Sequence, residues 1–424
     1  MRDLAELLRA GDTVVWGQGC AEPRTLTHAL REAASAVPDL RCFVGISAAE
    51  DTVGAAGLGF KSYGGGGVNR LLDDAGRLDI VPSRYSDLPQ LIAEGAMPVD
   101  VALVQVTPGA TAGTYHLALA AEYLMAAVRN ARVVVAEVNH AAPHSPDAPM
   151  IPAERISALV EVAYLPTPLP GGPRTTGTAA IGAHVAGIVS DGATLQVGIG
   201  ALPDAAVRSL SGHHDLGVHT GALGDALADL IAAGVVTNAH KTRDTGVSVA
   251  GLLLGSEALF RLAHRNPAIA LRETAHTHDP AVLASLPRFT AINAAIEIDL
   301  TGQVNTEVAG GRYVGAAGGA LDFARPAMLS PGGGAITIVR ATAGGRSAIV
   351  PQLHGPVAVP RSEVDWVVTE YGAARLRGLT LAQRRERLIG LAHPDHRAAL
   401  EAASPGAGEA RRADSQLQPE PGAD

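Results

Sequence analysis

The chain has 424 residues, more than one hydrophobic core usually organises, so two domains are expected. Apolar residues make up 47% and aromatics only 3%. Val, Leu, Ile and Ala must therefore fill the interior, which suits α/β packing rather than a β-sandwich. A formal net charge of −9 offers no basic stripe for nucleic acid, although backbone amides and a few arginines can still hold a phosphate.

In chain order, Met1 leads into LAELLRAGDTV, an amphipathic helix and turn rather than a charged-then-apolar leader. Cys20 and Cys42 are the only cysteines. They form neither a zinc spacing nor a disulfide framework, so a reducing, cytoplasmic setting is expected. No apolar run approaches the length that crosses a bilayer. The segment Gly11 to Leu30, GDTVVWGQGCAEPRTLTHAL, reads as a buried strand, a G-x-G turn, a proline and a helix. Asp100 to Thr107 and Ala131 to Val138 read as further buried strands, and Gly113 to Val128 as a helix. Pro166 to Gly177 (PTPLPGGPRTTG) is rich in Pro and Gly and reads as a linker.

Asp191 to Leu210, DGATLQVGIGALPDAAVRSL, then repeats the first pattern: an apolar run, G-x-G, a proline and a helix. A one-residue difference in the loop keeps it from being a rigid copy. Ala222 to Gly234 has a helical pattern. Phe289 to Leu300, Ala335 to Val339 and Val364 to Val368 read as strands. From about Ser404 the chain loses apolar periodicity. The expected organisation is two related open α/β domains, at 1–165 and 178–403, with a linker at 166–177 and a disordered tail at 404–424. Ligands of open α/β sheets bind at the carboxyl ends of the strands, where both G-x-G turns fall.

The glycine pairs Gly17–Gly19 and Gly198–Gly200 lack the third glycine and the ribose-binding acid of a dinucleotide fingerprint, and no P-loop lysine is present. The first loop reads as an ordinary strand-to-helix turn. For the second, a phosphate cradle and a plain turn weigh equally. No G-x-S-x-G elbow supports a hydrolase triad. His219 and Thr220 end the run DLGVHT, with Asp225 about one helical turn further on. A histidine there can be a base or simply structural. His213, His214, His240, His276 and His278 are scattered in loops without carboxylate spacing, so no metal site is expected. Glu297 and Asp299 alternate along a strand and share a face. They can line a cleft or only stitch strand ends, and the second reading is preferred for Asp299. Glu370 lies at a strand end in VVTEYG, with its role open. Gly315 to Phe323 (GAAGGALDF) makes a loop whose amides can approach a ligand closely and stabilise an oxyanion.

Several stretches together resemble the acetyl-CoA hydrolase/transferase family: AEPRTLTHAL, DVALVQVTP, DGATLQVGIGALPDA, DLGVHT, GVVTN, INAAIEIDLTGQVN, GGALDFAR, VDWVVTEYGAARLRG and AHPDHR. Their order and spacing agree up to about Leu400. The resemblance implies domains of the CoA-transferase type with the active site at their interface. It also implies a coenzyme A thioester as substrate rather than a permanently bound cofactor, and a homodimer or larger assembly. In that family a glutamate attacks the thioester, giving an anhydride and then a glutamyl-CoA. The glutamate follows the His-Thr of the G-[IV]-H-T-E segment, and here that position is Gly221. The family's G-G-Q is Gly318-Gly319-Ala320, and Ala222, Leu223 and Gly224 replace bulkier residues, while Asp225 is retained.

An acyl-CoA enzyme with altered chemistry is therefore expected, in which water, an amine, a hydroxyl or a carboxylate serves as the acceptor. The candidate catalytic positions are His219, Gly221, Asp225, Asn293 and Glu297. The candidate CoA-binding positions are Gly198, Gly200, Gly318, Gly319, Glu370 and Gly372. Conventional CoA transfer through Asp225 or Glu297 as a substitute carboxylate, and a non-catalytic CoA-ester-binding or scaffold protein, are the alternatives.

Overall fold

The computed structural model describes residues 4–47, 56–171 and 176–403. Residues 172–175 of the expected linker and the expected tail at 404–424 lie outside the described residues. Residues 166–171 have no regular secondary structure, and a helix already begins at Thr176.

The first half builds a nine-stranded sheet. Its strands are β1 (Thr13–Trp16), β2 (Arg41–Phe43), β3 (Gly59–Ser62), β4 (Leu78–Ile80), β5 (Val101–Pro108), β6 (Thr114–Leu117), β7 (Val133–Asn139), β8 (Met150–Pro152) and β9 (Ala158–Val162). Strands β4, β3, β2, β1, β5, β7 and β9 run parallel in that order, with Val14 opposite both Cys42 and Val101. Strand β6 adds antiparallel at the carboxyl end of β5, and β8 pairs with it. β5 and β7 are buried along almost their whole length, as expected of parallel strands covered on both faces.

The second half starts with β10 (Thr194–Val197), β11 (Gly217–Leu223), β12 (Ser248–Leu253), β13 (Ile269–Leu271) and β14 (Phe289–Ala294). Short strands follow: β15 (Glu297–Asp299), β16 (Val304–Asn305), β17 (Val308–Ala309) and β18 (Arg312–Tyr313). The remainder are β19 (Gly334–Ile338), β20 (Thr342–Ala343), β21 (Arg346–Ser347), β22 (Ile349–Val350), β23 (Trp366–Thr369) and β24 (Gly372–Arg375). The main sheet has the order β13-β12-β11-β10-β14-β19-β23-β24, parallel except for β24.

The internal repeat has a structural counterpart. Strand β1 lies between β2 and β5, and β10 lies between β11 and β14, so both copies supply a central strand. Each is followed by its G-x-G turn and a helix, Arg24–Ala33 and Ala201–Arg208. Buried side chains of both sheets, among them Val15, Val104, Val218 and Leu252, belong to one continuous apolar cluster.

Three expectations about local structure change. Gly113 to Val128 is not one helix, because Thr114–Leu117 is drawn into β6 against the end of β5 and the helix starts only at Leu124. The alanine-rich run between them is buried and extended. It is stitched to the second domain by Ala121 N donating to Gly251 O (2.9 Å) and Leu253 N donating to Leu119 O (2.8 Å). Tertiary pairing overrides the helical propensity of those alanines. Phe289 to Leu300 splits, since β15 leaves the main sheet to pair with β16 and β22. Ala222 and Leu223 extend β11 alongside Leu252 and Leu253, so the following helix begins only at Asp225.

Candidate active site between the two domains

A cavity of about 350 Å³ lies between the two domains, and both G-x-G turns reach it through Gln18 and through Gly198 and Ile199. The loop Val314 to Ala320 forms another wall. Hydrogen bonds from the first domain fix that loop: Gly65 N donates to Gly315 O (2.8 Å) and Tyr85 N donates to Gly318 O (3.1 Å). Gly318 has φ +54°, in the left-handed region that glycine adopts without strain. Gly319 then caps the helix Ala320–Leu329. In the first turn of that helix, Asp322 accepts from Ser86 N (2.9 Å) and Ser86 Oγ (2.8 Å), which closes the clasp between domains.

Gly221 lines the cavity from β11. A Cβ at this position would stand 3.2 Å from His278 Cε1, 3.3 Å from His278 Nε2 and 3.7 Å from Phe323 Cζ. A Cβ at 221 would thus press on the His278 imidazole, which would have to give by a few tenths of an ångström. The imidazole sits between the rings of Phe323 and Tyr85, with centroids 4.4 and 5.1 Å away. Its Nδ1 is 2.8 Å from Thr277 Oγ1, and the Thr277 hydroxyl donates to Glu273 O at 3.4 Å. In the tautomer in which Nδ1–H donates to Thr277, Nε2 carries the lone pair. Burial pushes the His278 pKa down to about 3, so the ring is neutral at physiological pH.

The carboxyl group at this cavity is that of Glu122, a fully buried residue with φ +35° at the junction of the domains. Gln18 Nε2 lies 2.8 Å from both of its oxygens and 2.9 Å from Tyr85 Oη. The carbonyl of Gln18 accepts from Tyr63 Oη and from Ile46 N, each at 2.8 Å. Burial raises the Glu122 pKa to about 7, and the hydrogen bonds from Tyr85 and Gln18 counter only part of that rise. On the opposite wall, Gln196 of β10 and Asn293 of β14 form a reciprocal amide pair. Gln196 Nε2 donates to Asn293 Oδ1 (3.1 Å) and Asn293 Nδ2 donates to Gln196 Oε1 (2.9 Å). A Cβ on Gly198 would come within 2.7 Å of Asn293 Oδ1, so glycine is what lets the turn pass so close.

Of the candidate positions in the sequence, Gly198, Gly221, Asn293, Gly318 and Gly319 therefore converge on one cavity. The others lie outside its lining. Gly200 caps the helix Ala201–Arg208 with φ +129°. Asp225 is engaged by Ser256 N (2.9 Å) and Ser256 Oγ (2.8 Å). The Glu297 carboxylate accepts from Asn305 Nδ2, His354 N, Gly355 N and His354 Nδ1 at 2.8–3.0 Å. Burial works to raise the Glu297 pKa, but those hydrogen bonds hold it below its ordinary value. Glu370 accepts from Ala341 N (2.9 Å), and Gly372 opens the edge strand β24.

His219 faces the same side of β11 as Gly221, two residues earlier and about 6.6 Å away along the strand. It is fully buried, with Nε2 3.4 Å from His276 O. Burial, reinforced by the charge of Lys241, pushes its pKa down to about 3. His219, Asp244 and His276 bring their ligating atoms within 4.8 Å of one another, a geometry able to hold a metal ion that the spacing in sequence does not disclose. His276 Nε2 is 3.0 Å from Asp244 Oδ2. Lys241 is close by, with its Nζ donating to Val218 O (3.0 Å) and Val247 O (2.6 Å).

The acetyl-CoA hydrolase/transferase N-terminal domain matches residues 1–167 and the corresponding C-terminal domain matches residues 255–404. The chain belongs to the acetyl-CoA hydrolase/transferase family. It is 37% identical over 339 residues to the 4-hydroxybutyrate coenzyme A transferase of Clostridium kluyveri, covering 79% of each chain. It is 30% identical over 419 residues to the butyryl-CoA:acetate CoA-transferase of Anaerostipes caccae, covering 93% of each. Among solved structures, RipA from Yersinia pestis superposes with a TM-score of 0.89 at 33% identity and 95% coverage of both chains. The 4-hydroxybutyrate CoA-transferase of Porphyromonas gingivalis gives 0.78 at 33% identity, covering 97% of this chain and 96% of that one.

Sequence reasoning missed Gln18, Tyr63, Tyr85, Glu122, His278 and Phe323 at this cavity. The one local signal was the first G-x-G turn, read as a plain connection. Its central residue is Gln18, on which the Glu122 carboxyl and the Tyr63 and Tyr85 hydroxyls converge.

Proposed function

We propose that this protein is an acyl-CoA-utilising enzyme whose thioester is cleaved by a nucleophile that arrives with the second substrate, not by a side chain at position 221. The observation that carries this reading is Gly221 itself. It lines the cavity without a side chain, and a neutral imidazole packs close against it. A glutamyl-CoA intermediate at that position has no carboxylate to form on.

In this reading the acyl carbonyl sits against the loop of Gly318 and Gly319, whose amides receive the oxyanion, with the Asn293 amide as a further donor. The Gly198 turn approaches the coenzyme A moiety. Coenzyme A is a substrate and no cofactor is permanently bound. The enzyme acts in the cytoplasm as a homodimer or larger assembly. Among the described residues no helix is long and apolar enough to cross a membrane.

A second reading, CoA transfer through a substitute carboxylate, is favoured by one observation. Asp225 and Glu297 are engaged elsewhere, but Glu122 brings a carboxyl group to the cavity. Mass spectrometry of acetyl-, butyryl- and succinyl-CoA incubated with the protein separates the readings, run with and without acetate, alcohol or amine acceptors. Direct transfer gives thioester loss without an enzyme-bound adduct. A borohydride- or hydroxylamine-sensitive adduct on Glu122 establishes the second reading. No consumption of any thioester refutes both.

A further inference from the structure

If the nucleophile comes with the substrate, something in the cavity must take its proton. His219 was the sequence-level candidate, but its ring lies beneath the helix Thr274–Thr277, and it does not line the cavity. Asp225 is spent on Ser256. Glu122 reaches the cavity, but its two oxygens are shared between Gln18 and Tyr85 deep in the wall. His278 is placed differently. Its Nδ1 is anchored on Thr277, while Nε2 has no hydrogen-bond partner among the described residues. Nε2 stands 3.3 Å from where a Cβ of residue 221 would be and 3.2 Å from where a Cβ of residue 319 would be. It is therefore wedged between the strand that has lost its side chain and the amide loop proposed to hold the oxyanion.

We infer that His278 is the general base of this site, and that the acceptor it serves is a protic oxygen nucleophile, water or an alcohol hydroxyl, rather than a carboxylate. A carboxylate acceptor arrives ionised and has no proton to give, so a base beside the thioester serves only an acceptor that must lose one. The inference rests on the function proposed above. The step balances as follows. Nε2 removes the proton from the acceptor O–H as the oxygen attacks the thioester carbon, and a C–O bond forms. The tetrahedral oxyanion collapses with breakage of the C–S bond. The imidazolium returns its proton to the departing thiolate. The products are free coenzyme A and either an acid, from water, or an ester, from an alcohol.

The flanking rings fit this role. Tyr85 and Phe323 hold the imidazole plane and keep bulk water from its faces, and the Thr277 hydroxyl anchors Nδ1.

The test uses the full chain with acetyl-, butyryl- and succinyl-CoA, following thiol release in water and in the presence of small alcohols. For His278→Asn, kcat is expected to fall roughly 10²- to 10⁴-fold with KM little changed. Hydroxylamine, which attacks without prior deprotonation, should still be acylated by that variant. In His278→Ala, added imidazole should restore part of the lost rate. Circular dichroism and melting curves confirm that each variant is folded. Wild-type turnover that survives His278→Asn undiminished overturns the role of His278 and leaves the direct-transfer reading standing. Turnover that requires a carboxylate acceptor overturns the acceptor class. Absence of thioester consumption by the wild type overturns the proposed function and this inference together.

Discussion

Replacing Glu122 with Gln removes one ionisable carboxyl from the cavity wall while keeping its size and an oxygen to accept from Gln18. The carboxyl is fully buried, and burial raises its pKa from 4.5 to about 7 despite hydrogen bonds from Tyr85 and Gln18. A raised carboxyl pKa means that the folded state holds the proton more tightly than the unfolded chain does. The associated stability is complete below pH 4.5, declines as pH rises, and is gone above pH 7. At about 1.4 kcal/mol per tenfold change in proton affinity, this interval corresponds to about 3 kcal/mol. The wild type should therefore lose about 3 kcal/mol relative to Glu122→Gln between pH 4.5 and 7, with the two curves parallel at higher pH. Denaturant midpoints for both proteins at half-unit pH steps measure this directly. Curves that stay parallel through the whole window would refute the assignment of a raised pKa to Glu122. A wild type that gains stability relative to the variant through this window would refute its sign.

Gly221→Glu should not by itself create a CoA-transferase, because the new Cβ meets the His278 ring at 3.2–3.3 Å and Phe323 lies just beyond. Overpacking of this kind costs about 1–3 kcal/mol. Pairing it with His278→Ala should recover most of that loss, and the two changes should be non-additive when measured as a double-mutant cycle by thermal unfolding. A trapped glutamyl-CoA on Glu at position 221 in the double variant, and not in the single one, would show that the remaining pocket is competent. Glu297→Ala leaves Asn305 Nδ2 and the amides of His354 and Gly355 without their acceptor. The unfolding free energy should drop by about 1–3 kcal/mol. Loss of turnover in the folded protein, beyond that explained by instability, would return Glu297 to the catalytic machinery.

The sequence discloses the scaffold well and the chemistry poorly, for different physical reasons. Strands such as β5 and β7 are near-continuous apolar runs, and their burial follows from composition alone. The repeated strand, G-x-G and helix marks the central strand of each sheet because the turn geometry is local. The cavity, by contrast, is assembled across large sequence separations. Gln18 meets Glu122 over 104 residues. Ser86 meets Asp322 over 236. Periodicity carries no information about such pairs. His278 looked like one of several loop histidines, and only the packing of Tyr85 and Phe323 around it distinguishes it from them. Glu297 shows the opposite error. Alternation along a strand correctly put it on a shared face with Asp299, but that strand leaves the main sheet, so the face looks onto the His354 loop rather than the cavity.

The positions at which the sequence reading expects departures from the family pattern can also be located in the structure. Gly221, Ala222 and Ala320 all line the cavity, although the last is far from the first two in sequence. Leu223 and Gly224, also altered, do not line it but continue the same strand and cap the helix that follows. A Cβ at 221 would meet the His278 ring at 3.2–3.3 Å, so any larger residue there requires that ring to give. A side chain installed at 221 is therefore coupled to its neighbour His278.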